Sequence, residues 1–201
     1  VFEPLQIRRE EAPSDLAALE KFLVTNWKPP GKSGGNAVSG FKPQQSHAME
    51  SIRTRANDVM VTLPTGEGKS VLFQVPGLCR GLRNRRLTLV LSPLKALMRD
   101  QVARLHEQGF AESVDYISSD RPRFELAEVL QGVLDHRIVM LYVAPERLRN
   151  AVFLDVLRRR IEADDGLEYV VFDEAHCINQ WGYEFRPDYF HAFSYLLRSL
   201  R

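Results

Sequence analysis

The sequence predicts an α/β domain, a mainly parallel sheet with helices on both faces. Three observations carry this. From Asp58 onward, short apolar runs alternate with helical stretches, as they do when parallel strands are joined by crossover helices. The first run leads into a glycine-rich turn ending in Lys69-Ser70. The last run ends in two adjacent acids, Asp173-Glu174.

The elements follow in order. Residues 12–27 read as a helix, with Ser14 as its cap and Leu16, Leu19, Leu23 and Trp27 on one face. Lys28 to Gly40 is rich in Pro, Gly and Ser and reads as a loop or linker. A short helix follows Pro43, through Met49 and Ile52. The strands are Val59–Leu63, Leu87–Leu91, Val114–Ile117, Ile138–Val143 and Tyr169–Phe172. Helices are expected near 69–82, 94–108, 122–135 and 146–163. A last helix near 187–200 has Phe190, Phe193, Leu197 and Leu200 on one stripe. The expected organisation is an N-terminal helix and linker over 1–40 and the α/β domain over 41–201.

Composition narrows the class. The chain has 201 residues, 27 Lys+Arg against 26 Asp+Glu, and 44% apolar residues. That is enough chain for one domain with a core, and too apolar and charge-balanced for a disordered segment. The longest apolar run, Ile138–Ala144, is far too short to span a membrane, and Val1–Glu10 lacks the apolar stretch of a signal peptide. Cys79 and Cys177 cannot make a disulfide framework and form no Cys-x-x-Cys pair; Cys79 reads as core. The expectation is a cytoplasmic protein with no membrane partner, nucleoid-associated if bacterial. A net charge of +1 argues against a strongly basic domain but allows a local basic patch. Val1 is not an initiator Met, which leaves open that the chain is a piece of a larger protein.

Two motifs carry chemistry. Leu63-Pro64-Thr65-Gly66-Glu67-Gly68-Lys69-Ser70 lies between a strand and a helix, the context a phosphate-binding P-loop requires. Glycines let backbone N–H groups turn toward phosphate oxygens, and the helix N-terminus favours an anion. Lys69 reaches the β- and γ-phosphates, and the Ser70 hydroxyl is placed for Mg2+. The strict pattern has Gly where this chain has Leu63. Gly31-Lys32-Ser33 repeats the tripeptide in a Pro/Gly loop with no strand before it and reads as a decoy. In Tyr169–His176 an apolar strand ends in Asp173 and Glu174. Parallel strands carry their ligand sites at their C-terminal ends, so Asp173 is expected at the same sheet edge as the P-loop. Asp173 suits Mg2+, Glu174 the polarisation of an attacking water, and His176 coupling to neighbouring elements. Asp-Glu after a strand is also an ordinary helix start.

The segments around these motifs resemble RecQ-family DNA helicases of superfamily 2. Asp173-Glu-Ala-His-Cys-Ile-Asn-Gln-Trp-Gly-Tyr-Glu-Phe-Arg-Pro-Asp-Tyr189 is similar to their DEAH motif and aromatic-rich loop. Leu91-Ser-Pro-Leu-Lys-Ala-Leu-Met-Arg-Asp-Gln-Val102 is similar to motif Ia, and Tyr142-Val-Ala-Pro-Glu-Arg-Leu148 to the segment before motif II. Phe41-Lys-Pro-Gln-Gln45 is similar to the nucleotide-recognising motif 0. The resemblance spans roughly 41–190 and implies the N-terminal RecA-like P-loop NTPase lobe of an ATP-dependent DNA helicase or translocase using ATP and Mg2+.

By position, it implies that Thr65, Gly66, Glu67, Gly68, Lys69 and Ser70 hold the phosphates, Gln45 reads the adenine edge and Lys42 stands beside the base. Lys42 replaces the family's usual Arg, and Val38 its usual aromatic. Trp181, Tyr183, Phe185 and Arg186 would contact single-stranded DNA or a single/double-strand junction, by stacking and phosphate contact. Ser92, Lys95 and Arg99, with Ser118 or Ser119, are candidate backbone contacts. A second RecA-like lobe is implied beyond Arg201. Without its arginine, worth about 10³–10⁵ in rate in related NTPases, the isolated chain is expected to be nearly inactive. The alternative reading is a nucleotide-dependent DNA-binding or switch module without unwinding activity.

Overall fold

The computed structural model describes residues 15–27, 38–54, 57–164, 166–176, 188, 189, 192 and 196. The chain divides into two compact units, Glu10–Asn84 and a second from Arg85 onward.

The first unit is helical. α1 (Leu16–Asn26) starts at Asp15, whose carboxylate accepts the Ala17 N–H at 3.0 Å and satisfies one of the helix's orphan donors. Ser14, the expected cap, lies outside the described residues. Leu19 and Leu23 of α1 bury against Met49 of α2 (Pro43–Thr54) and Leu72 and Val75 of α3 (Val71–Asn84). Pro43 at the first position of α2 loses nothing there, since that N–H has no intrahelical acceptor. Cys79 packs at the rim of this cluster, where burial pushes its thiol pKa up and keeps it protonated.

The expected strand Val59–Leu63 is not formed. The segment keeps the alternation of a strand, with Val61 and Leu63 packed against the helical cluster and Met60 90% exposed. A strand exists only by pairing. The helices of this unit offer no edge, and Pro64 follows without a donor.

The second unit holds β1 (Thr88–Leu91), β2 (Val114–Ile117), β3 (Met140–Val143) and β4 (Tyr169–Phe172), all parallel, in the order β2-β3-β1-β4. Leu89 lies beside Leu141 and Val170; Val90 lies beside Tyr142 and Val171. Every residue of β1 and β3 is buried, so both read as unbroken apolar runs rather than alternating ones. On one face Leu89, Leu91, Leu141 and Val143 pack with Val129 and Val133 of α5 (Arg123–Leu134) and Phe153 and Leu157 of α6 (Ala151–Asp164). Tyr189, Ala192 and Leu196 join the same cluster. On the other face the Tyr142 hydroxyl reaches α4 (Lys95–Leu105). The parallel sheet covered on both faces is therefore present.

The observed strands β2 and β4 have the expected limits. The helix expected over 146–163 is divided. Pro145–Arg149 forms a tighter turn, then Asn150 leaves helical geometry and its side chain accepts the Phe153 N–H at 3.0 Å, restarting the chain as α6. α4 runs on through a wide turn, His106–Phe110, within which Gly109 takes φ 96°. Of the last expected helix, Phe190, Phe193, Leu197 and Leu200 lie outside the described residues.

Candidate functional site

In the first unit, Gly66 and Gly68 adopt φ 85° and 73°, left-handed values that a side chain disfavours. The loop then feeds α3 through short bonds from Val71 N–H to Gly68 O and Leu72 N–H to Lys69 O. Among the described residues, the N–H groups of Gly66, Gly68, Lys69 and Ser70 donate to no protein acceptor. Backbone donors left open at a helix start are what an anion takes. Lys69 folds its Nζ onto the carbonyl of Leu63 at 2.9 Å. Thr65 is exposed at the tip of the turn.

Gln45 is buried beneath this loop. Its Nε2 donates to Glu67 O at 2.9 Å and to Gly68 O at 3.3 Å, and its Oε1 accepts the Lys42 N–H at 2.9 Å. Lys42 Nζ in turn meets Glu67 Oε2 at 2.7 Å. Both residues singled out for the base thus brace the P-loop.

In the second unit, Asp173 continues the ladder past β4, its N–H bonded to Leu91 O at 2.9 Å. This puts the carboxylate at the C-terminal end of the sheet. Its Oδ1 accepts the Glu174 N–H at 3.1 Å and its Oδ2 accepts Gln101 Nε2 at 2.9 Å. The Tyr189 hydroxyl donates to the Asp173 carbonyl. Glu174 takes φ 54°, a left-handed value unusual for a residue with a side chain. Its Oε2 lies 3.0 Å from His176 Nδ1.

Ser70 and Asp173 offer hard oxygen donors. Among the described residues no three His, Cys, Asp or Glu cluster together as a dedicated cage. The Ser70 hydroxyl and the Asp173 carboxylate are each the kind of oxygen donor that Mg2+ takes beside waters and phosphates, so the chemistry of each residue fits that ion.

Lys95 Nζ bonds the Ser119 hydroxyl and lies 3.6 Å from Glu146, and Arg99 lies 3.5 Å from Asp120. The Ser118 hydroxyl donates to Asp120, and this bond is the largest cause of that carboxyl's lowered pKa. Lys95 and Ser119 therefore stand together on the surface. Ser92 does not: it is fully buried, its N–H bonded to Val143 O and its hydroxyl without a partner. Its place at the end of a central strand encloses it. Trp181, Tyr183, Phe185 and Arg186 lie outside the described residues. Sequence reasoning missed Gln101 as a site residue; it carried only the signal of standing in the motif Ia segment.

A parallel α/β sheet with a P-loop sequence and a strand-terminal Asp-Glu pair is the arrangement of the P-loop NTPase class. Within that class the chain belongs to the DEAD/DEAH box helicase family, which matches residues 42–200. It is similar to the ATP-dependent DNA helicase RecQ of Haemophilus influenzae, 34% identical over 81% of this chain and 25% of the relative. The protein of that name from Synechocystis is 38% identical over 88% of this chain and 33% of the relative. The ATP-dependent DNA helicase Q5 of Mus musculus is 38% identical over 73% of this chain and 14% of its own length. The chain thus spans about a quarter of the bacterial relatives such as that of Haemophilus influenzae. No described helix is long and apolar enough to cross a membrane.

Proposed function

We propose that the chain is the ATP-binding lobe of an ATP-dependent DNA helicase or translocase, acting with a second RecA-like lobe. The observation that carries this is the open row of N–H groups at Gly66, Gly68, Lys69 and Ser70, on a loop with a lysine at its end. Those donors bind the phosphate chain. Lys69 leaves the Leu63 carbonyl and takes a phosphate oxygen, a stronger charge-assisted partner. Ser70 and Asp173 hold Mg2+, which when bound neutralises charge building on the phosphates. Glu174 orients and polarises the attacking water, and His176 steadies the Glu174 carboxylate.

Gln45 reads adenine by exchanging its bonds to the loop for bonds to the base, so base recognition and loop support draw on one amide. The substrate is DNA, engaged by the aromatic segment Trp181–Arg186 and by Lys95. The names of the relatives support this choice of nucleic acid. The test is strand displacement from a forked duplex by the full-length protein. Unwinding that needs ATP and disappears with Lys69→Ala supports the reading. ATP hydrolysis without any strand separation or translocation favours the switch-module alternative.

A further inference from the structure

The Asp173 carboxylate is held by a relay that starts inside the sheet. Tyr142, fully buried on β3, donates its hydroxyl to Gln101 Oε1 at 3.1 Å. Gln101, on α4, donates Nε2 to Asp173 Oδ2 at 2.9 Å. Chemistry sets the direction. An ionised carboxylate only accepts, so the amide must turn its NH2 toward Asp173. The amide oxygen then faces Tyr142, and the hydroxyl must donate. The reversed amide would set oxygen against oxygen.

Further groups hold Asp173. Oδ1 takes the Glu174 N–H, and the main-chain carbonyl takes the Tyr189 hydroxyl, whose ring lies 6.0 Å from that of Phe172. A carboxylate bonded through both oxygens cannot swing freely about its last torsion.

We propose that Gln101 is a positioning residue that sets the angle at which Asp173 meets Mg2+, and that Tyr142 sets the sense of the Gln101 amide. This rests on the reading of Asp173 as the magnesium carboxylate. Gln101 bonds the Asp173 carboxylate itself, so its effect falls on metal affinity and leaves the hold of the P-loop on phosphate intact. Partners that orient a metal ligand ordinarily change metal affinity about 10–100-fold when removed.

The experiment uses the full-length protein and three variants, Gln101→Met, Tyr142→Phe and Asp173→Asn. Methionine keeps the length and burial of glutamine but neither donates nor accepts as an amide does. Mn2+ binding in the presence of ADP is followed by electron paramagnetic resonance. ADP binding is measured separately in EDTA, and each variant is melted thermally. We expect Gln101→Met to weaken Mn2+ binding about tenfold or more, and Tyr142→Phe to weaken it less, with ADP affinity in EDTA unchanged. Unchanged Mn2+ affinity in Gln101→Met, beside a large loss in Asp173→Asn, overturns the relay and leaves the reading of Asp173 standing. A lower melting temperature with unchanged Mn2+ affinity overturns it too, as packing alone. Unchanged Mn2+ affinity in Asp173→Asn overturns both.

Discussion

Gln45 and Gly68 meet so closely that a Cβ on Gly68 would sit 2.6 Å from Gln45 Nε2. The glycine is required twice, by this approach and by its φ of 73°. Gly68→Ala should therefore displace the amide and strain the loop, costing about 1–2 kcal/mol from the left-handed backbone alone. The expected outcome is a lower melting temperature and at least ~10-fold weaker ATP binding, the latter corresponding to about 1.4 kcal/mol. A fluorescent-nucleotide titration beside a thermal melt checks both. Unchanged affinity would show that the loop tolerates the clash.

Lys69→Ala should separate function from stability. In the structure the Lys69 side chain bonds the Leu63 carbonyl, and such a bond contributes about 0.5–1.5 kcal/mol. The variant should melt within a few degrees of the parent and lose ATP hydrolysis. Retained hydrolysis would remove Lys69 from the phosphate site.

Glu174→Gln keeps the size of the side chain and removes its basicity. General-base catalysis contributes about 10²–10⁴ in rate. Hydrolysis should fall by about that factor while ATP binding persists, measured as single-turnover rate against nucleotide affinity. A loss of binding equal to the loss of rate would instead assign Glu174 to substrate holding.

Arg160 tests the scaffold. It is 1% exposed, and its guanidinium donates to the carbonyls of Val133 and Arg85, tying α6 to the end of α5 and to the chain entering β1. Arg160→Met fills the volume but leaves both carbonyls without this donor. Hydrogen bonds to charged groups contribute about 1.5–3 kcal/mol each, so the denaturation midpoint should fall clearly. Nucleotide affinity of the folded protein should stay unchanged; a matching loss would make Arg160 part of the site.

Much of this was legible because strands and phosphate loops carry local signals. β2 and β4 could be placed from their apolar runs, and Asp173 from its position after one. Val59–Leu63 misled because its pattern is that of a strand, while pairing depends on an edge no local pattern reports. The start of α6 was blurred because Asn150 breaks a helical stretch by side-chain capping rather than by Gly or Pro. Gln101 was missed because its partner lies 72 residues away, and spacing along the chain says nothing about which amide meets which carboxylate. The burial of Ser92 was not legible because only the strand order shows that the strand before it is central.

The most direct test of the central claim is the rate of ATP hydrolysis by the full-length protein, measured with and without single-stranded DNA. A low basal rate, strong stimulation by the DNA, and loss of both with Lys69→Ala are expected. Hydrolysis indifferent to DNA, or surviving Lys69→Ala, would contradict the claim.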